Sequence, residues 1–363
     1  MPSTRFLNAF RALAALWVVV GHCLLWGGVR TAWLPAPGLA VDLFMVISGF
    51  LMVLTVERDQ AEGWTRRFYL RRFFRIAPAY YAALLFAFVF QGPMRAGMSI
   101  LQTADPAHWL GSPYVAAGYS IGATELVSHV SFLFGLWPSQ ADATMLPDWS
   151  LSLEMQFYAV FPLLFIISRR RHFVAVALAI AFVCAAAAGL FSIGARHGLW
   201  PPFPEPSNLM FKLPIFLIGM LIHDARNKGW QWAAVAVGLL ATIEFRAAQW
   251  TGFSVVSLVA LLAGCWLFQW RPRLFRSNLI TFASDCSYSV YLIHMPVLLL
   301  LGSSIWSWLS ELGAGQATLA MSLVVIPVSY VLSWASFRYI EQPGIALGKS
   351  LSGRRAAIAP PMT

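Results

Sequence analysis

Apolar runs of 16 to 22 residues recur ten times along the 363-residue chain, with charge, Gly or Pro between them. A hydrocarbon core about 30 Å thick is crossed by roughly 20 apolar residues in a helix. The pattern therefore predicts ten spans, near residues 8–26, 40–56, 74–91, 149–168, 173–193, 208–223, 230–246, 252–270, 287–308 and 316–337. Backbone polar groups find no water in lipid, so spans of this length must be helical. The expected fold is all-α, a polytopic integral membrane protein. One apolar segment, LVSHVSFLFGLW at 126–137, is too short to cross and would put Arg169 to Arg171 outside if it did. It belongs to an outer loop over 92–148 whose second half dips into the membrane surface. Trp109, Tyr114, Tyr119, Trp137 and Trp149 in or beside that loop suit either covering a substrate or anchoring at the interface.

Composition removes the soluble alternatives. The chain is 59% hydrophobic and 11% charged, against roughly 45–50% and about 25% in ordinary soluble domains. A net charge of +10 would suggest nucleic acid in a soluble protein. Here the cations lie between apolar runs, and twenty of the 25 Lys and Arg residues fall on one side of the ten-span map. That side is cytoplasmic by the positive-inside rule, so both termini are expected inside and nucleic acid is not an expected partner. The first run follows Arg5 and contains Arg11 but lacks a small-residue cleavage site, which makes it a retained helix. Cys23, Cys184, Cys265 and Cys286 stand singly, with no spacing for a disulfide framework or a metal. Residues 1–343 read as one membrane domain and 344–363 as a cytoplasmic tail.

Ionisable groups inside a span cost roughly 2.5–3.5 kcal/mol each, so their placement is informative. Arg11 and His22 lie 11 positions apart, three helical turns plus about 20°, and share a face about 16 Å from end to end. Arg11 sits near the cytoplasm, where it can also serve as an anchor, and His22 in the outer half. Asp42 and Glu154 enter their spans from the outer side at similar depth. Either could hold one imidazole nitrogen of His22 and raise the basicity of the other, and one of them could equally be a helix-joining ion pair. On the cytoplasmic side WTRRFYLRRFFR (64–75) concentrates Arg71, Arg72 and Arg75 on helical spacing. Guanidinium groups grip phosphates bidentately and also contact anionic headgroups.

Six strings in order resemble the acyltransferase 3 family: RFLNAFRALAALWVVVGH (5–22), VDLFMVISGFLM (41–52), RRFFRIAPAYY (71–81), WSLSLEMQFY (149–158), SYSVYLIHMP (287–296) and RYIEQP (338–343). The resemblance implies a membrane enzyme that acylates cell-envelope carbohydrates across the bilayer. It implies essential roles for the Arg11 and His22 pair and a part for the Arg72 and Arg75 pair in handling acyl-CoA. It also implies a stand-alone member, without the hydrolase-like domain that many relatives carry at the C-terminus. The expected protein is a multi-pass enzyme of the bacterial cytoplasmic membrane that moves an acetyl group from acetyl-CoA to a sugar hydroxyl of an exopolysaccharide or other glycan. In this reading His22, Asp42 and Glu154 are catalytic, as base or acyl carrier with its partners, and Arg11, Arg71, Arg72 and Arg75 bind the donor. Acetyl-CoA, the bilayer and a polysaccharide or lipid-linked oligosaccharide are the expected partners, with no metal. The rival is a transporter or flippase of lipid-linked oligosaccharide, since intramembrane charge also marks transport paths.

Overall fold

A computed structural model describes residues 5–29, 36–109, 121–141, 143–248, 252–270 and 272–353. Among the described residues all regular structure is helical: α1 (Phe6–Trp26), α2 (Pro37–Glu57), α3 (Trp64–Val89), α4 (Gln91–Gln102), α5 (Pro106–Trp109), α6 (Ala123–Val130), α7 (Trp149–Ser168), α8 (Phe173–Arg196), α9 (Leu209–Lys228), α10 (Gln231–Ala248), α11 (Gly252–Leu267), α12 (Asn278–Asp285), α13 (Ser287–Val297), α14 (Ser303–Leu309), α15 (Ala314–Ser336) and α16 (Gln342–Leu351). Short π-helical segments at Leu298–Gly302 and Phe337–Glu341 carry the chain from α13 into α14 and from α15 into α16.

Seven helices have the length and apolar composition of a crossing, counting Ser287–Leu312 and Ala314–Leu351 as continuous. Helix α9 is 20 residues long but carries Lys212, Asp224, Arg226 and Lys228. The apolar stretches of α10 and α11 are shorter than a full crossing. Each of the ten predicted runs is thus a helix, and three fall short of that length or composition. Large apolar side chains face outward, among them Phe182 and Leu190 of α8 at 76% and 69% exposure. Water would penalise such a surface, whereas lipid tails match it.

Two boundaries differ from the sequence reading. Helix α3 begins at Trp64, ten residues before the predicted span, because the Arg-rich stretch is itself helical and presents its cations from the first turns. The predicted tail starts as helix: α16 lies along α3, with Gly344 and Gly348 against Phe74 and Pro78. Residues 354–363, including Arg354 and Arg355, lie outside the described residues. The described part of the 92–148 segment is built from α4 and α6 and from buried Phe132, Phe134, Met145 and Leu146. Tyr81 donates to the Val130 carbonyl at 2.8 Å and fastens the segment to α3. Its Tyr114 and Tyr119 fall outside the described residues.

The core crossing is α2 against α9, and glycine permits it. A Cβ on Gly49 would come within 2.0 Å of the Phe216 carbonyl oxygen, and one on Gly219 within 2.0 Å of the Val46 oxygen. The obstacle in both cases is backbone, which cannot swing aside. Gly49→Ala should lower the thermal unfolding temperature in detergent, in line with about 1–3 kcal/mol or more for overpacking. Gly189→Ala on α8, with nothing within 4 Å of its Cβ, should leave that temperature unchanged.

Candidate active site

Helices α1, α2, α3, α7, α9 and α13 line a half-open cavity of about 230 Å³. Arg11, Arg72, Arg75 and Glu154 line it, with Ser48, Thr55, Ser150, Tyr288 and Tyr291 and an apolar wall from α2. Three cations and one carboxylate give the lining a formal excess of positive charge. The arginines are sparsely engaged. Arg11 Nη2 donates to Ser287 Oγ at 2.8 Å, and Arg72 Nη2 to Thr55 Oγ1 at 3.3 Å. Arg72 also lies 5.9 Å from the Phe68 ring centroid and 6.0 Å from that of Tyr158. Arg75 donates no hydrogen bond to any described side chain or carbonyl. A guanidinium has five donors, so most of them remain available to an anion with several oxygens. Opposite Arg72, a Glu154 oxygen accepts from Ser48 Oγ at 3.1 Å and from the Tyr158 hydroxyl.

The predicted common face of Arg11 and His22 exists and meets α13. Ser287, Tyr291 and His294 follow one another at i, i+4 and i+7, a single stripe on that helix. Arg11 pairs with Ser287 at one end of the stripe and His22 with His294 at the other, so α1 and α13 run parallel here. His22 Nδ1 lies 2.9 Å from the Val18 carbonyl and 3.1 Å from His294 Nε2. The two ring centroids are 4.9 Å apart. His294 Nδ1 faces the Val290 carbonyl at 3.0 Å. Tyr291, between the two ends, shares a 2.7 Å hydrogen bond with Ser150 at the cavity wall. Sequence reasoning passed over His294. The signal was present, since it is an ionisable residue in an apolar run, seven positions after a serine of the same motif.

Neither expected carboxylate partner reaches His22. Asp42 faces α9 instead, with its two oxygens 2.7 and 2.8 Å from Lys212 Nζ. A buried carboxylate needs a cation, and the nearest one stands on the helix that packs most closely against α2. Glu154 faces Ser48, Tyr158 and the cavity. Arg71 likewise leaves the arginine patch. It donates to Asp59 Oδ2 at 2.9 Å and to Ser352 Oγ at 3.1 Å. Asp59 also accepts from Arg67 at 2.8 and 3.1 Å. The Arg67 hydrogen bonds, with the charge of Arg71 beside them, hold the Asp59 carboxyl below its ordinary range. Arg71, one turn nearer the start of α3, is only about 40° around the helix from Arg75, so it is the pull of Asp59 and Ser352 that keeps it out of the cavity. Away from the cavity, Glu57, His223 and Asp224 gather at metal-like spacing. Arg169 at 2.6 Å and Lys228 at 2.7 Å already neutralise the two acids.

An acyltransferase domain model matches residues 4–338. The chain belongs to the acyltransferase 3 family. This family member is similar to nodulation protein 10 of Rhizobium leguminosarum, at 26% identity over 97% of this chain and 96% of that protein. It is also similar to the peptidoglycan O-acetyltransferase OatA of Listeria monocytogenes, at 21% identity over 93% of this chain and 55% of OatA. Staphylococcus aureus sequences match at 23% identity over 93% of this chain and 56% of theirs. The chain spans about half the length of OatA and of these Staphylococcus aureus relatives. No solved structure matches it.

Proposed function

We propose that this acyltransferase domain moves an acetyl group from acetyl-CoA to a sugar hydroxyl of a cell-envelope glycan, in the cytoplasmic membrane of a bacterium and with both termini inside. The convergence of Arg11, Arg72 and Arg75 on one cavity, whose α13 wall reaches Tyr291 three residues before the His294 that meets His22, supports this reading. Coenzyme A is a polyanion with a narrow pantetheine arm. Underused guanidinium donors suit its phosphates, and a gap between helices suits the arm. The acceptor class rests on OatA, whose name gives peptidoglycan as its target.

In this reading His22 Nε2 takes the proton of the acceptor hydroxyl while the oxygen attacks the thioester carbonyl. The carbon–sulfur bond breaks, the ester forms, and the departing thiolate takes the proton back from His22 Nε2 to leave as coenzyme A thiol. A neutral imidazole rests in the membrane interior without a counter-ion, which a carboxylate would need. Glu154 faces Arg72 across the cavity and balances part of its charge before the donor arrives. Asp42 holds α2 to α9 through Lys212, and Arg71 braces the cytoplasmic loop through Asp59.

Protein reconstituted in liposomes with acetyl-CoA enclosed should acetylate a glycan acceptor supplied outside and release coenzyme A inside. Mass spectrometry of the acceptor and a thiol assay of the lumen follow the two products. A cysteine placed at Leu133 should react with an impermeant reagent from the outer side, and one at His172 should not. Acceptor flux without thioester cleavage would decide for a transporter, and reversed labelling would invert the topology.

A further inference from the structure

A histidine acts as a base only through a ring nitrogen that carries no proton and has no prior partner. His22 Nδ1 and His294 Nδ1 each face a main-chain carbonyl, Val18 at 2.9 Å and Val290 at 3.0 Å. A carbonyl oxygen only accepts, so in the neutral rings the hydrogen-bond network assigns the proton of each to Nδ1. That leaves His294 Nε2 as a bare lone pair, 3.1 Å from the hydrogen-bearing Nδ1 of His22. The His22 hydrogen is therefore shared between Val18 and His294. Its Nε2 makes no hydrogen bond among the described residues.

We propose that His294 is a positioning residue for the acyl transfer. Its Nε2 accepts from His22 Nδ1–H, fixes the tautomer in which His22 Nε2 is the base, and stabilises the imidazolium formed when that atom takes the acceptor proton. The proposal rests on the reading of His22 as the base. The acceptor O–H bond breaks and an Nε2–H bond forms on His22, while His294 keeps its own proton throughout. A neutral ring performs this orientation without a second charge in the membrane interior, where a carboxylate would need its own cation. His294 is 1% exposed. The Arg11–Ser287 hydrogen bond, two turns away on the same stripe, sets the register that brings the two rings together.

The test compares His294→Ala, His294→Gln and His22→Ala in liposomes loaded with acetyl-CoA, at matched expression and with unfolding temperatures recorded. Removing an orienting partner of this kind costs on the order of 10- to 100-fold. His294→Ala should lose that much kcat with KM for acetyl-CoA unchanged, and the amide oxygen of His294→Gln should restore most of it by accepting the same hydrogen. Nitrogen-15 spectra of labelled His22 should show one tautomer with bare Nε2 in the parent and in His294→Gln, and a mixture in His294→Ala. This readout does not depend on turnover. Full kcat in His294→Ala beside an inactive His22→Ala would overturn the positioning role alone. Activity persisting in His22→Ala would remove the base, and the proposal with it.

Discussion

His22→Ala is expected to reduce acyl transfer by at least about 100-fold, within the range of roughly 10² to 10⁴ that a positioned general base contributes. The protein should still fold. His22 is half-buried, and its Nδ1 is bonded to the carbonyl of its own helix four residues earlier. Helix α1 therefore keeps its packing when the ring is removed, and Arg11 still reaches Ser287. Donor binding should survive, because the cavity arginines lie toward the opposite end of the α1 and α13 stripe. Calorimetry with acetyl-CoA and single-turnover acetylation separate the two properties. Equal loss of binding and turnover would mean that the histidine supports the cavity and not the chemistry.

Replacing Arg72 and Arg75 together with Gln is expected to raise KM for acetyl-CoA by at least about tenfold, since hydrogen bonds to charged groups contribute about 1.5–3 kcal/mol each. Orientation in the membrane should not change, because eighteen of the twenty cations on the side that the ten-span map makes cytoplasmic remain. Arg71→Gln provides the contrast. That side chain is bonded to Asp59, a partly exposed pair whose exposed ionic contacts contribute only about 0–1 kcal/mol, and KM should stay at the parent value. An unchanged KM in the double variant would reduce Arg72 and Arg75 to lipid anchors, and an equal rise in Arg71→Gln would bring Arg71 back into the donor site. A thermal-shift titration against acetyl-CoA measures each variant.

The candidate site is partly legible in the sequence. The 11-residue spacing of Arg11 and His22 placed them on one face, and they do share one partner helix. Glu154 stands out as a costly charge inside an apolar run, and Arg72 and Arg75 as guanidinium groups concentrated at helical spacing; all three line the cavity with Arg11. What remained hidden was pairing. Asp42 and Glu154 have the same type and similar depth, and nothing local distinguishes the one that faces Lys212 from the one that faces Arg72.

By itself the sequence determined the helical membrane architecture, because apolar length and backbone hydrogen bonding in lipid leave one solution for each run. It also determined which residues are too polar for their surroundings. The tertiary structure decided which of them meet. It turned Arg71 outward to Asp59 and gave Asp42 to Lys212. It brought His294 from 272 positions away to the Nδ1 of His22. Helical period fixes the face on which a residue stands, but the neighbouring face depends on how ridges, grooves and the close α2 and α9 crossing at Gly49 and Gly219 pack together. Those contacts join residues distant in sequence, and no local pattern records them.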